Sequence, residues 1–151
     1  MRGHLFAFLI AGSLALPVAA VADLITKSSP YPVGETMDRL ETAVTGAGAT
    51  VFARVDHAVG AASVEMDLRP TQLLIFGNPK LGTPAMQDAQ AAGLDLPLRV
   101  VVFETAEGVT TVAYHDPAAL AETHGLPADA QYIKMMTGAL DKLTGAAVAA
   151  D

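Results

Sequence analysis

The chain has 151 residues, with 9 Lys and Arg against 16 Asp and Glu and a formal net charge of −7. That acidity argues against nucleic acid and anionic membrane surfaces as partners, because both are bound by clustered Lys and Arg that replace counterions. The absence of Cys excludes disulfides, zinc–thiolate sites, Fe–S clusters, covalently attached c-type haem and thiol nucleophiles, and the length is that of one domain with a single core.

Met1-Arg2 opens the chain with a positive charge. Residues 5–16 form an almost uninterrupted apolar run, and Pro17 precedes Ala20-Val21-Ala22, a small-x-small cleavage pattern. The run is shorter than the roughly 20 residues a membrane-spanning helix needs. Residues 1–22 are therefore expected to be a secretory signal peptide cut before Asp23, leaving a periplasmic or secreted chain with no stable membrane anchor. Loss of Arg2 takes Lys and Arg from 9 to 8 against an unchanged 16 acidic residues, so the mature charge is −8.

Residues 24–27 read as a first strand, closed by Ser28-Ser29-Pro30-Tyr31-Pro32. Val33, Met37, Leu40 and Val44 then recur at helical spacing, with Glu35, Asp38, Arg39 and Glu41 on the other side and Gly46 and Gly48 as the stop. Residues 49–56 alternate, which predicts a strand with Val51, Ala53 and Val55 on one face and Phe52, Arg54 and Asp56 on the other. Residues 57–67 are rich in small side chains and predict a short helix or compact crossover. The apolar runs 73–76 and 98–103 are each the length of a buried strand. Between them come a turn at Gly77-Asn78-Pro79 and a helix expected to open with Thr83 as cap and Pro84 in its first turn, ending near Gly93. Glu107-Gly108 turns a hairpin into a strand over 109–114. Asp116-Pro117 opens a helix that Gly125 stops, and a last helix over about 128–143 presents Ile133, Met136, Leu140 and Leu143. Residues 145–151 have little to bury and are expected to fray.

These elements predict an α+β fold: a two-layer sandwich in which a mainly antiparallel sheet of about five short strands packs against helices. A single domain is expected over 23–144. The few helices would leave one sheet face or edge for a second copy of the chain, so a homodimer is the expected assembly.

Several stretches together resemble the domain of unknown function 302 (DUF302) family. They are Val33-x-Glu35-Thr36-x-x-Arg39-Leu40; Val51-Phe52-Ala53-Arg54-Val55-Asp56-His57-Ala58; Pro70-Thr71-x-Leu73-Leu74-Ile75-Phe76-Gly77-Asn78-Pro79; Leu94-Asp95-Leu96-Pro97-Leu98; and the hairpin ending in Tyr114. The resemblance spans about residues 28–126. It implies a small α/β sandwich, often exported in bacteria, and it implies no activity and no catalytic residue.

Chemistry must then come from residue types. Asp56-His57, Asn78 and Tyr114-His115 all stand at predicted strand ends, where sites are commonly built, and Glu104 closes an apolar strand. Each also has a structural reading: Asp56 and Asp116 as helix caps, and Gly77-Asn78-Pro79 as plain turn chemistry. His57, His115 and His124 lack close ligand spacing, and Met136 of the Met135-Met136 pair belongs to the last helix's inner stripe, so no metal or cofactor is assigned. Nucleophile elbows and phosphate-binding loops are absent. The favoured reading is an exported binding or accessory module holding a small apolar or amphipathic ligand between sheet and helices, with Phe52, Phe76, Phe103 and Tyr114 lining the cavity. Asp56, His57, Asn78, Glu104, Tyr114 and His115 are the candidate ligand-binding residues. The alternative is a small periplasmic enzyme using His57 as acid/base, assisted by Glu104, Asn78 or Tyr114. Convergence of His57, Asn78, Glu104 and His115 within about 8 Å around a concave apolar pocket would mark a site, and their scatter to different ends of the sheet would return each to its structural reading.

Overall fold

The two apolar runs lie side by side as neighbouring strands. In the computed structural model, which describes residues 24–150, β3 (Thr71–Gly77) pairs antiparallel with β4 (Leu98–Glu104), with Leu74 opposite Val100 and Leu73 opposite Val101. Three further strands complete one antiparallel sheet. They are β1 (Leu24–Ser29), β2 (Thr50–Asp56) and β5 (Thr110–His115), and the spatial order is β1-β5-β4-β3-β2. The expected signal peptide lies outside the described residues.

Alternation along each strand sorts the side chains onto two faces. Leu74, Phe76, Val100, Val102, Val112 and Tyr114 point to the helices. There they meet Val33, Met37, Leu40 and Val44 of α1 (Val33–Gly46) and Leu140, Leu143 and Ala147 of α5 (Gln131–Val148) in one buried cluster. Burying a side chain of this size contributes about 1.5–3 kcal/mol, so this layer contact is what holds the fold. The other face presents Val55, Leu73, Val101, Ala113 and Thr26 in a single row across all five strands. Ile75 and Phe103 stand in the rows on either side; none of these side chains belongs to a buried cluster, and of them the small Ala113 alone is fully shielded.

A β-bulge corrects the expected alternation of β2. Its register shifts between Val51 and Ala53: Val51 is opposite Phe76 and packs toward the helices, whereas Ala53 and Val55 are opposite Ile75 and Leu73 on the bare face. One extra residue inverts the phase of everything after it. Arg54 and Asp56 consequently share the helical side. Arg54 bonds Asp38 (2.6 Å) and Glu41 (3.2 Å) of α1, and also Gln72, which in turn donates to Asp56 (2.9 Å).

Helix ends follow local chemistry. Pro32 precedes α1 and supplies no side-chain cap; instead the Thr36 hydroxyl, fully buried, bonds the Ser29 hydroxyl at 2.7 Å and donates to the Tyr31 carbonyl. Gly48 takes φ +75 after the helix, a conformation glycine adopts without strain. Asp56 caps α2 (His57–Ala62), accepting from the Val59 N–H at 3.0 Å. The next helix, α3 (Pro79–Asp88), starts earlier than expected: Asn78 is its cap and Pro79 its first residue, with Pro84 inside and a 3-10 turn over Gln90–Leu94 following. Asp116 and Gly125 bound α4 (Pro117–His124) as expected. The fray expected over 145–151 gives way to helix as far as Val148. Ala147 is fully buried, and Arg39 reaches across from α1 to donate to the carbonyls of Ala147 (3.2 Å) and Ala149 (2.8 Å) while lying over the Tyr31 ring. A cation on the last carbonyls of a helix complements its dipole and its orphan acceptors.

Candidate functional site

Beyond the main core, α3, the 3-10 turn, α4 and the first half of α5 form a second cluster with Ala85, Ala92, Leu120, Ala121, Leu126, Ile133 and Met136. Between this cluster and the end of the sheet lies an open slot of about 180 Å³. Its walls are Phe52 from the bulge of β2, Leu81, Gly82 and Met86 from α3, Leu96, Pro97 and Leu98 from the entry to β4, and Met136 of α5. The Leu96–Pro97 bond is cis.

Three local features build the slot. The bulge turns Phe52 out of the alternation, leaving its ring 58% exposed at the mouth. Gly77 has no side chain; a Cβ there would stand 3.2 Å from the Pro97 Cβ and 3.7 Å from the Phe52 ring. Asn78 fixes the direction of α3 by accepting the Lys80 N–H at 2.9 Å. That bond uses the amide oxygen and leaves the amide NH₂ for an acceptor on a ligand. With the Thr83 hydroxyl, Asn78 supplies the polar rim of an otherwise apolar slot.

The candidate residues do not gather there. Asp56 and His57 stand at the far end of β2, and Glu104 closes β4 at that same end, where its backbone bonds Pro70 and Arg69. Asn78 and His115 are at the opposite end. Thr50 and Asp56 bound β2 six residues apart, about 20 Å along a strand, so His57, Asn78, Glu104 and His115 do not converge on one site. Asp56 is a cap whose carboxyl is held below its ordinary value, chiefly by the Val59 N–H, against the opposing effect of burial, with Gln72, the Ala58 N–H and the charge of Arg54 assisting. His57 is exposed. Tyr114 and Phe76 are buried in the main core, and Phe103 lies on the bare face, so the expected cavity between sheet and helices is filled. Of the four aromatic residues expected to line it, only Phe52 lines the slot.

On the other side of Leu98 is a more polar hollow of about 250 Å³, lined by Asp95, Arg99, His115, Asp116 and Thr123 among others. Asp95 bonds Arg99 (3.1 Å) and the mostly buried His124 (2.7 Å). His124 thus serves as a strut between α4 and the entry to β4. Among the described residues no group of three or more His, Asp or Glu side chains is arranged to hold a metal ion. Leu81, Met86 and Leu96 were not singled out by sequence reasoning: each is an ordinary apolar residue, and only the fold makes them neighbours. The bulge that frees Phe52 left no signal in the alternation of residues 49–56.

Three comparisons bear on this geometry. The chain is 42% identical over 126 residues, 81% of its length, to "Fluoride-specific ion channel FluC 1" of Brucella suis biovar 1 (strain 1330), covering 50% of that protein. The same identity and span relate it to the protein of that name from Brucella abortus biovar 1 (strain 9-941), covering 47% of it. The chain thus spans about half the length of the curated relatives it matches. An uncharacterized conserved DUF302 protein from Bacillus stearothermophilus has the same fold, with a TM-score of 0.67 at 20% sequence identity over 83% of this chain and 94% of that one. Residues 25–143, which run from the second residue of β1 through Leu143 of α5 and so include all but Leu24 of the sheet and the whole slot, match the domain of unknown function DUF302, and the chain belongs to that family.

Proposed function

We propose that the protein is an exported binding or accessory module that takes the apolar end of a small amphipathic molecule into the slot beside Phe52. One observation supports this above others: an open recess whose walls are apolar, whose floor is the buried Met136 and whose rim offers the Asn78 amide and the Thr83 hydroxyl. Its volume of about 180 Å³ exceeds the roughly 150 Å³ that admits benzene in an engineered cavity and falls short of the roughly 300 Å³ where drug-sized sites begin. The occupant is therefore one ring or a short branched alkyl end, with the rest of the molecule outside. Export is supported by Arg2, the apolar run 5–16 and Ala20-Val21-Ala22.

The accessory role draws support from the Brucella relatives, in which the matched region makes up about half of chains named as fluoride-specific ion channels. Conduction belongs to those whole proteins. Among the described residues here no helix is long and apolar enough to cross a membrane.

The test is a titration of methyl-labelled methionine protein with benzyl alcohol, followed by NMR. The Met86 and Met136 methyls are expected to shift while that of Met37, in the main core, does not. Phe52→Ala is expected to weaken binding several-fold with little change in stability, since its ring is mostly exposed. Absence of any shift at Met86 and Met136 up to the solubility of the probe would overturn the proposal.

A further inference from the structure

The bare face of the sheet is a second feature of the fold, separate from the slot. Leu73, Ile75, Val101 and Phe103 stand on it half-buried, and Val55 is 37% exposed. No acidic side chain occurs in its registered rows, although the chain carries 16 Asp and Glu. The charged group in those rows is Arg99, already tied to Asp95. A strip without acidic side chains, its one cation already paired, selects neither a basic nor an acidic partner. It is also the surface on which two acidic copies meet with least repulsion.

We infer that this face is the interface of a homodimer, two sheets stacking about a two-fold axis with the Val55–Leu73–Val101 row of each over that of the other. The extent of the face fits this. Five strands spaced about 4.8 Å apart and about 20 Å long present roughly 500 Å² per copy. The pair therefore buries about 1,000 Å², which is the lower bound for a specific interface. At one end of the sheet, the connection from β2 to β3 carries four more exposed apolar side chains, Val59, Val64, Met66 and Leu68, each about half exposed or more. Such an interface is of the weak class, with dissociation near the micromolar range.

Light scattering after size exclusion, across about 1 to 100 µM protein, is expected to show a mass rising from one copy to two. Val101→Glu, which sets a carboxylate in the middle of the row against its own copy, is expected to hold the mass at one copy throughout while circular dichroism stays native. In case that variant does not fold, the wild-type protein gives an independent readout. On dilution, the methyl resonances of Leu73, Ile75 and Val101 are expected to shift, and those of Leu74 and Val100 to stay. A single-copy mass at every concentration, a folded Val101→Glu variant that still dimerises, or dilution shifts confined to other residues would each overturn the inference.

Discussion

Leu73 and Leu74 are adjacent on β3 and alike in composition, yet Leu74 is fully buried in the cluster with α1 and α5 while Leu73 stands on the face that no buried cluster reaches. The same contrast runs through Ile75 and Phe76, and through Val101 and Val102. Both faces are rich in apolar side chains; what differs is the layer placed over one of them. Apolar residue type is a requirement for a core position, but the packing partner decides whether the position becomes one. The covered face sets stability, and the bare face is the one inferred above to take a second copy.

The sharpest way to break this contrast is to truncate both sides of it. Leu74→Ala is expected to lower stability by about 2–5 kcal/mol, because it leaves a cavity in a close-packed layer. In dilute protein Leu73→Ala is expected to cost no more than about 1 kcal/mol. Urea midpoints at constant m-value measure both, and equal losses would mean that the bare face is covered within the monomer.

Next come the polar ties that hold the helical layer in place. Asp56→Ala removes the cap of α2 and the acceptor of Gln72, for an expected loss of about 1 kcal/mol. The carboxyl of Asp56 is held below its ordinary 3.8, so the folded state favours the ionised form. Its contribution is present above that value and is lost as pH falls through the lower folded one. Stability against pH below 4 should accordingly fall less steeply in Asp56→Asn than in the native protein.

A smaller effect concerns the clasp between α3 and α5. The Tyr132 hydroxyl donates to Asp88 at 2.7 Å, and that bond, with burial and the nearby carboxylate, pushes the phenol up to about 12. The neutral phenol is the favoured form, so its stabilisation is complete below its ordinary 10 and disappears as pH rises through about 12. Phenolate absorbance should show a tyrosine titrating near 12 that moves back toward 10 in Asp88→Asn. Smallest of all is Asp141→Asn. It breaks a pair with Lys27 in which the carboxylate is 76% exposed, and it should change stability by about 0.5 kcal/mol or less.

Much of this architecture is legible from residues near one another in sequence. The stripe Val33, Met37, Leu40, Val44 marks α1, Asp116-Pro117 and Gly125 bound α4, and Gly108 turns the β4–β5 hairpin at φ +77. The misplaced start of α3 has an equally local cause. Thr83-Pro84 and Asn78-Pro79 are both sound openings, and Asn78-Pro79 is the one used because β3 delivers the chain there. Pro84 then sits inside the helix and brings no N–H to the Lys80 carbonyl. The end of α5 was hidden for another reason: the partner that makes residues 145–148 helical is Arg39, more than a hundred positions away.

The slot was the least legible part. Strand-end polar residues drew attention because their types carry chemistry, and the fold sends His57 and Glu104 to one end of the sheet and Asn78 and His115 to the other. The recess instead arises from one extra residue in β2, a missing side chain at Gly77 and apolar residues of α3 and α5.

Composition and short-range pattern by themselves determined the acidic, cysteine-free character of the chain, the α+β class, and the strand character of the runs 73–76 and 98–103, because periodicity and turn chemistry act over a few residues. Only the tertiary structure decided which sheet face is covered, which phase β2 adopts after Phe52, and where a recess is left. Each of those depends on atoms that are distant along the chain and meet only when the layers pack.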